Sequence, residues 1–432
     1  MASPPVTKEA ALAFGRDVYY GHGKIEILPK VAVHSLQDMA VAYTPGVGHA
    51  VREVQARPEA LSELTAKDNL VAIVTDGTAV LGFGNAGPRA ALPVMEGKAT
   101  MFKLLAGIDC FPLCIQARDA AHLIDILEAL EPGFGGYNIE DVAAPACFEV
   151  VRQLEQRVAI PAMHDDQYGT ATVIAAGLIN ALKVTGRAAG DIRVVVNGIG
   201  AAGTATIDML QALGVGEITA HDKAGIIYRG GDYPHEHWRR MAETTNRDRL
   251  QGDLATAMRG ADVFIGVSVA NQVTPEMVRS MARGPIVFGL ANPEPEIRPD
   301  AALAAGAAIV ASGRFDFPNH CNNVLAFPAL MRAALDTKTR RVSREMCLAA
   351  SRAIAAEVPD AELAPDLILP SPLSATLYPN VAEAVAREAV KQGLARVDPG
   401  VGAVAAKTAH LRRLVQERQR SLPAHPPGAA AP

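Results

Sequence analysis

Two pairs of adjacent acids are the residues of this sequence whose types and spacing most favour chemistry. Asp165 and Asp166 lie in MHDDQYGTA, between an apolar run and a long helical pattern, and Glu140 and Asp141 lie in GGYNIEDVAAP. With no His or Cys cluster nearby, the four carboxylates offer only oxygen ligands, which select a hard cation such as Mg²⁺ or Mn²⁺. The alternative is structural, since each pair could instead lead into or cap the helix that follows it. Spacing alone leaves both interpretations open.

A lysine and a tyrosine also stand in unusual positions. In the helical pattern ALPVMEGKATMFKLLAG, Lys98 shares an apolar stripe with Val94, Met101 and Leu105 instead of joining the polar stripe. Such a lysine either snorkels to solvent or is buried, and burial would lower its pKa and make it a usable base near neutral pH. Tyr43, in AVAYTPGVGHA, is either a packing residue or a group presented by a constrained turn.

The stretch RVVVNGIGAAGTATIDMLQALGVGEITAHD has the form of a dinucleotide-binding unit, with a strand before its glycines and a helix and a second strand after them. Gly198 permits the tight turn, Gly200 lets a pyrophosphate approach the backbone, and Gly203 allows helix and strand to touch. The pyrophosphate would then meet the positive end of the helix dipole. The predicted cofactor-binding residues of this unit are Gly198, Gly200, Ala201, Ala202, Gly203 and Asp222.

The choice between NAD and NADP depends on the end of the second strand. Asp222 ends that strand and should accept hydrogen bonds from an adenosine ribose, which favours NAD. Lys223 and Arg229 follow closely and could pair with a 2′-phosphate. The sequence therefore favours NAD and leaves NADP open.

Strand-like and helix-like runs alternate through most of the chain, which predicts α/β structure with parallel sheets covered on both faces. Helices are predicted over residues 90–106, 119–130 and 169–184. The predicted strands are NLVAIVTD, FPLCI, VAIPAMHD, IRVVVNGIG, EITAHD, DVFIGVS, PIVFGLAN and AAIVASG.

The polar, glycine-containing stretch KVTGRAAGD, residues 183–191, marks a domain boundary. We predict an N-terminal α/β domain over residues 1–185 and a Rossmann-type, doubly wound NAD(P)-binding domain over residues 186–340. A helical segment, residues 341–398, is expected to pack back on the core. Residues 399–432 are expected to form a tail that is disordered from about residue 421.

Composition excludes several classes of protein. The 432 residues carry a net charge of -5, which argues against a nucleic-acid partner. No uncharged apolar run reaches about 18 residues, so no membrane span is expected. The N-terminus lacks the pattern of a signal peptide. Five cysteines without paired short spacing fit a reducing cytoplasm better than a disulfide scaffold.

Together these motifs resemble malic enzyme, most closely its short bacterial form, from about residue 23 to residue 395. The resemblance implies oxidative decarboxylation of L-malate to pyruvate and CO₂ with reduction of NAD or NADP, dependence on Mg²⁺ or Mn²⁺, and a homodimer. The stretches that carry it are GKIEILPK, AVAYTPGVG, VTDGTAVLGFGNAGPRAALPVMEGKA, GGYNIEDVAAPACFEV, IPAMHDDQYGTA, GIGAAG, ADVFIGVSVANQVTPEMV, PIVFGLANPEPEI and GRFDFPNHCNNVLAFP.

The family's roles can be carried over to matching positions. The resemblance implies Lys98 as general base, Tyr43 as general acid and Asp165 as the acid that contacts Lys98. A metal bound by the other acids would polarise the ketone of oxaloacetate. The implied metal ligands are Glu140, Asp141 and Asp166. The residues implied to hold malate and the nicotinamide end of the cofactor are Asn292, Asn322 and Asn323.

Some positions depart from the family's pattern. Tyr168 stands where bacterial members often have His, VANQVTPEM usually has a more Gly- or Pro-rich start, and His320 and Cys321 replace commoner residues. These departures leave the substrate and cofactor preference open. The group that binds the C4 carboxylate of malate is not identified, although Lys24 of a neighbouring subunit is one candidate. Two rival interpretations are a metal-independent 2-hydroxy-acid or amino-acid dehydrogenase and a dinucleotide-binding sensor.

Overall fold

The structure is a computed structural model that describes residues 23–80, 82–314 and 316–420. It contains a four-stranded parallel sheet in the order β2-β1-β3-β4 and a six-stranded sheet in the order β10-β9-β8-β5-β6-β7, in which only the β6–β7 pair is antiparallel. The strands are β1 (Leu70–Thr75), β2 (Asp109–Cys114), β3 (Gly136–Ile139), β4 (Ala162–His164), β5 (Arg193–Asn197), β6 (Glu217–Asp222), β7 (Gly225–Ile226), β8 (Val263–Gly266), β9 (Ile286–Gly289) and β10 (Ile309–Ser312).

Helices surround both sheets, as the alternating pattern predicted. They are α1 (Leu36–Ala42), α2 (Val47–Ala56), α3 (Ala60–Leu64), α4 (Pro88–Ala106), α5 (Ala120–Leu130), α6 (Ala146–Arg157), α7 (Asp165–Thr185), α8 (Ala201–Ala212), α9 (Glu236–Thr244), α10 (Leu254–Met258), α11 (Pro275–Ser280), α12 (Pro299–Ala304), α13 (Phe327–Thr337), α14 (Arg344–Ala356), α15 (Leu377–Lys391) and α16 (Ala403–Gln419). None of the helices in the described ranges combines the length and the hydrophobicity that a membrane-spanning segment needs.

The first sheet contains one strand that the sequence analysis missed. β3 is absent from the predicted strands because it has only four residues, GYNI, and two of them, Gly136 and Asn138, are of types that are depleted in strands. It lies between β1 and β4, and all four of its residues are buried. Backbone pairing on both sides and burial on both faces therefore stabilise a segment whose own propensity for strand is weak.

The second sheet has the doubly wound order that the glycine motif implies. β5 pairs with β6 on one side and with β8 on the other, so the chain reverses direction across the sheet at β5. Ligands of such sheets bind in the crevice at the carboxyl ends of the strands on either side of this reversal. The glycine loop follows β5 and lies at that crevice.

Helix α7 joins the two halves of the molecule. Its residue Ile174 belongs to the same apolar core as Val71 of β1 and Val194 of β5. The helix starts at Asp165, four residues before the predicted start, so Asp165 and Asp166 lie in its first turn. The alternative in which they cap the helix is wrong, because the N-cap residue is His164. Acids in the first turn still interact favourably with the helix dipole.

The last described helices fold back on the first domain. α15 packs on α13 and α14, and α16 packs on α4 and α15. The stretch 399–432, expected to be a tail, contains α16 in its described part, and its last twelve residues lie outside the described residues. The predicted boundary at residues 183–191 begins in the last turn of α7 and ends just before β5.

Candidate active site

Three carboxylates meet at the carboxyl edge of the first sheet. Glu140 and Asp141 directly follow β3, Asp166 follows β4 by two residues, and the two strands are parallel neighbours. One carboxylate oxygen from each of the three residues lies within 4.8 Å of the others. The backbone N–H of Asp141 donates to Asp166 Oδ2 at 3.1 Å, and Asp141 adopts a positive φ of 53° that is uncommon outside glycine. The predicted metal ligands are therefore brought together by the fold.

The chemistry of this cluster fits a divalent hard cation. Glu140 and Asp141 are buried, and all donor atoms are carboxylate oxygens. With Asp165 and Lys98 nearby, four carboxylates face one ammonium, which leaves a net charge of -3. Burial, together with repulsion by the neighbouring acids, raises the pKa of Glu140 well above its usual value. A bound divalent ion would reduce the net charge to -1 and relieve that repulsion.

Lys98 is buried beside this cluster, on α4. Its Nζ donates to Asp165 Oδ2 at 2.5 Å and to Glu140 Oε1, and it lies 5.0 Å from the centre of the Phe327 ring. Burial by itself would lower the pKa of Lys98, but the carboxylates of Asp165 and Glu140 outweigh it and raise the pKa above the ordinary value. The expectation that burial frees this amine was therefore wrong for the arrangement in the structure, because the partners of Lys98 favour the ammonium.

Asp165 is completely buried and accepts a hydrogen bond from Lys98. Burial, opposed by the neighbouring ammonium, raises the pKa of Asp165 to about 6. If position 169 carried a side chain, its Cβ atom, placed with ideal geometry on the Gly169 backbone, would lie 1.9 Å from Asp165 Oδ1. Glycine is therefore required at position 169 for the Asp165 carboxyl group to lie against the next turn of α7. The adjacent acids thus point to different partners, with Asp165 on the lysine and Asp166 in the cluster of possible metal ligands.

The glycine loop between β5 and α8 has the geometry of a dinucleotide site. Gly198 has φ of 96° and its ideal Cβ would lie 2.9 Å from Val267 O, while an ideal Cβ at Gly203 would lie 1.7 Å from Gly198 O. A Cβ at Gly200 would meet nothing within 4 Å, so this position borders open space. Ala201 and Ala202 open α8, whose N-cap forms no side-chain hydrogen bond. The first N–H groups of α8 thus remain available to an anion.

Asp222 is held against this loop. Its Oδ2 accepts a hydrogen bond from the Ile199 N–H at 2.7 Å, and its Oδ1 accepts one from the Lys223 N–H at 2.7 Å. Arg229, a candidate partner for a 2′-phosphate, instead forms an ion pair with Glu243 at 2.8 Å. The carboxylate therefore lies at the end of β6 beside the glycine loop, and one of the two nearby cations, Arg229, is paired with an acid.

Two of the three predicted amides lie near residues of the first domain. Asn292 lies three residues beyond β9, its peptide bond to Pro293 is cis, and a Cβ built at Gly82 of the first domain would lie 2.7 Å from Pro293 Cδ. Asn322 accepts a hydrogen bond from the Val324 N–H at 2.9 Å. The Cβ of Asn323 lies 3.2 Å from the ideal Cβ position of Gly169, beside Asp165.

Comparison with known proteins decides the family. The sequence matches two protein-family models. The model described as "Malic enzyme, N-terminal domain" matches residues 22–155, and the model described as "Malic enzyme, NAD binding domain" matches residues 167–391. A bifunctional malic/malolactic enzyme of Bacillus subtilis (strain 168) is 48% identical over 394 residues, which cover 90% of this chain and 95% of the relative. The chain belongs to the malic enzyme family. An NAD-dependent malic enzyme of Geobacillus stearothermophilus is 46% identical over 376 residues, covering 87% of this chain and 78% of that protein.

Solved structures agree with this assignment. The crystal structure of malic enzyme from Pyrococcus horikoshii Ot3 has a TM-score of 0.87 at 41% identity, covering 95% of this chain and 96% of that chain. The predicted family, α/β fold class and NAD(P)-dependent enzyme class are confirmed. The reaction is accordingly the family's oxidative decarboxylation of malate with reduction of NAD or NADP.

Tyr43 is the predicted malic-enzyme residue that the fold of one chain does not bring to the cluster. It follows α1, its side chain is 72% exposed, and among the described residues it forms no side-chain hydrogen bond. Lys24, the candidate for the C4 carboxylate, lies against α4 of its own chain, where its backbone N–H donates to Glu96 Oε2 at 2.9 Å.

Tyr168 lies two residues beyond Asp166 but takes no part in the cluster. It lines a cavity of about 840 Å³ between α6, α7, α8, α9 and α14, together with Phe148 and Met209. The predicted metal ligands are not among the residues that line this cavity. The tyrosine at position 168, where the family often has His, therefore alters the lining of this cavity. It does not replace any of the predicted metal ligands.

Two residues near the acids were missed by the sequence analysis. Asn138 of β3 is buried and donates to Glu140 Oε2 at 3.0 Å, and Phe327 places its ring beside Lys98. Asn138 carried no usable signal, because the strand that positions it was not predicted either. Phe327 carried no signal, because its approach to Lys98 depends on contacts between distant parts of the chain.

Proposed function

We propose that this chain oxidatively decarboxylates L-malate to pyruvate and CO₂ with Glu140, Asp141 and Asp166 as ligands of Mg²⁺ or Mn²⁺. The observation that carries the proposal is the approach of three carboxylates to within 4.8 Å beside a buried lysine, at the carboxyl edge of the first sheet. When bound there, the divalent ion would act as a Lewis acid on the substrate's oxygen atoms. A dehydrogenase needs no such ion for hydride transfer, so the cluster supports the additional decarboxylation.

In this proposal Lys98 takes the proton from the C2 hydroxyl of malate and later returns a proton. Two carboxylates now raise its pKa, and Glu140 is shared between Lys98 and the metal cluster. Once Glu140 serves as a metal ligand, Lys98 keeps only Asp165 as a close partner, and the effect of burial on its pKa counts for more. Asp165 then holds the amine in position, while Asn292, Asn322 and Asn323 are assigned to malate and the nicotinamide end.

We further propose a homodimer in which Tyr43 of one copy acts in the site of the other. The N-terminal arm, residues 23–64, exposes a run of apolar side chains, and neither α1 nor α2 buries any residue within its own chain. The exposed apolar residues of the arm are Ile27, Leu28, Val31, Val33, Leu36, Met39, Val41, Tyr43, Val47, Val51 and Leu64. So much contiguous apolar surface is unusual on a monomer and supports a protein partner.

Mixing two inactive variants tests this arrangement. If Tyr43 acts across the interface, a heterodimer of Tyr43→Phe and Lys98→Ala chains contains one site with both natural residues, and a one-to-one mixture after subunit exchange should regain about a quarter of the natural activity. If Tyr43 acts within its own chain, no site in the heterodimer has both residues and no activity returns. Light scattering of the unmixed protein should give the dimer mass, and a monomer would refute the proposal.

We propose NAD as the preferred cofactor and the cytoplasm as the location. Asp222 presents a carboxylate where a 2′-phosphate would be repelled, and Arg229 is already paired with Glu243. All five cysteines are free thiols, which supports a reducing compartment.

The deciding assay supplies malate and Mn²⁺ with either NAD or NADP and measures reduced cofactor, CO₂, pyruvate and lactate together. The proposal expects reduced cofactor and pyruvate in equal amounts, with activity lost in EDTA and restored by Mn²⁺. A metal-independent dehydrogenase would reduce the cofactor without releasing CO₂ and would tolerate EDTA. Lactate without reduced cofactor would indicate direct malolactic chemistry instead.

A further inference from the structure

A completely buried carboxylate, Glu296, connects the ends of two strands of the dinucleotide-binding sheet. Its Oε1 accepts a hydrogen bond from the Ser268 N–H at 2.9 Å, just beyond β8. Its Oε2 accepts a hydrogen bond from the Ala291 N–H at 3.0 Å, just beyond β9. Its backbone carbonyl also accepts a hydrogen bond from the Val273 N–H at 3.0 Å. One side chain therefore holds two different loops, with one oxygen on each.

The surrounding backbone is shaped to admit this carboxylate. An ideal Cβ at Gly266 would lie 2.4 Å from Glu296 Cδ and 2.6 Å from Oε1, so the last residue of β8 must be glycine for the group to lie here. The structure describes no ion pair between Glu296 and any residue in the described ranges. Backbone N–H donors thus stabilise a buried group whose desolvation would otherwise be costly. Burial raises the pKa of Glu296 in spite of these donors.

Both loops border the half of the crevice that would hold the nicotinamide. Asp222 marks the ribose end on β6, and β8 and β9 lie on the other side of β5. The loop after β8 contacts the glycine loop, since an ideal Cβ at Gly198 would lie 2.9 Å from Ser268 Cβ. The loop after β9 carries Asn292 one residue beyond Ala291. A dinucleotide that crosses β5 from Asp222 must therefore reach these two loops with its nicotinamide half.

We propose that Glu296 is a positioning residue, which fixes the Ser268 and Asn292 loops at the spacing that the nicotinamide half of the cofactor requires. The proposal rests on the dinucleotide site and on the role assigned to Asn292 above. It does not depend on the metal cluster or on Lys98. Glu296 touches no reacting atom in this account, and its effect is transmitted through backbone N–H groups of the two loops, those of Ser268 and Ala291 among them.

A comparison of two ligands separates positioning from a general structural role. ADP-ribose has the adenosine and the pyrophosphate of NAD but lacks the nicotinamide. The dissociation constants of both ligands should be measured by calorimetry on the full chain. In Glu296→Gln, an amide can accept from one N–H but turns its NH₂ towards the other, so one loop is released. The Kd for NAD should rise about tenfold, as expected for one lost charge-assisted hydrogen bond, and the Kd for ADP-ribose should stay within about twofold.

Three further variants complete the test. Glu276→Gln on the exposed surface of α11 makes the same chemical change and should leave both constants unaltered. Gly266→Ala keeps the carboxylate but displaces it, and should reproduce the selective loss of NAD affinity even if Glu296→Gln fails to fold. Glu296→Asp retains the charge on a shorter side chain and should give an intermediate loss.

Equal weakening of NAD and ADP-ribose, or no change in either, would overturn the proposal, because a merely structural residue has no reason to affect the nicotinamide half selectively. A lower melting temperature with an unchanged ratio of the two constants counts against it in the same way. Because the readout is binding, a failure of the proposed metal or lysine roles would leave these results unaffected.

Discussion

Replacing Asp165 by Asn tests whether the adjacent acids have separate tasks. The change keeps the size and shape of a completely buried side chain but removes the charge that faces the Lys98 ammonium. Asp165 Oδ2 lies 2.5 Å from Lys98 Nζ, whereas Asp166 belongs to the group of three possible metal ligands. We therefore expect Asp165→Asn to damage proton transfer and Asp166→Asn to damage metal binding.

The size of the expected loss in kcat/KM depends on which carboxylate partners Lys98 has in the variant. Removing one partner of a buried ion pair costs about 3–5 kcal/mol when the remaining charge is left alone. In the metal-bound state, where Glu140 is assigned to the ion, Asp165 is the close partner that Lys98 retains, so we expect the lower end of this range, about 3 kcal/mol of transition-state stabilisation, which corresponds to about a 160-fold lower kcat/KM. The variant also lacks a carboxylate that raises the pKa of Lys98. The limb of the pH–rate profile that reports loss of the Lys98 proton should therefore move to lower pH.

The assay is initial-rate malate oxidation at saturating Mn²⁺ over a range of pH, with a separate Mn²⁺ titration for each variant. Asp165→Asn should keep the natural Mn²⁺ midpoint within about threefold, while Asp166→Asn should shift it by at least about tenfold. The assignment would be refuted if Asp165→Asn altered the metal midpoint as much as Asp166→Asn does. An unchanged kcat/KM and an unmoved pH profile would refute it equally.

Four further predictions follow from the site. Lys98→Ala should abolish malate oxidation and leave the Kd for NAD within about twofold by calorimetry, and turnover without added amines would exclude Lys98 as the base. Gly169→Ala should reproduce the Asp165→Asn profile, because its Cβ would lie 1.9 Å from Asp165 Oδ1, and natural rates would show that the carboxyl group has room to move. Burial lowers the pKa of His237 to about 4, so the folded state binds fewer protons than the unfolded state and stability should fall as the pH drops from about 6.5 towards 4. Since His237 is half exposed, His237→Gln should recover only about 1 kcal/mol at pH 5 relative to pH 7.5 in urea unfolding, and an equal pH dependence in both proteins would contradict the assignment. Excess Mn²⁺ should raise the melting temperature of the natural protein, and Asp166→Asn should lose that increase.

Much of the architecture could be predicted because its signals are local. The strands after residue 190 have apolar runs bounded by turns, and all five long strands of the second sheet were found. The glycine motif is recognisable because its three glycines and the flanking strands and helix are contiguous in the sequence, although Gly198 is required by an approach to Val267 on another loop. β3 was missed for the opposite reason, since GYNI is too short for its pattern to be recognised, half of it is Gly and Asn, and pairing with β1 and β4 stabilises it as a strand.

The start of α7 shows how a local pattern can mislead about a boundary. The helical periodicity becomes clear only from Gly169, so the strand VAIPAMHD was predicted to extend to Asp165. β4 ends at His164, and both acids belong to the helix. Their different partners therefore reflect the rotation of successive residues about a helix axis.

The sequence by itself determined which groups are available: oxygen-only acid pairs, a lysine on an apolar stripe, and a glycine loop that ends in an acid. The tertiary structure alone decided the electrostatic state of those groups. Lys98 meets Glu140 and Asp165, which lie 42 and 67 residues away, and these carboxylates reverse the effect of burial on its pKa. The exposure of Tyr43 and the bridging position of Glu296 were likewise undetermined by local pattern. A pKa depends on the charges within a few ångströms, and only folding brings distant segments to that range.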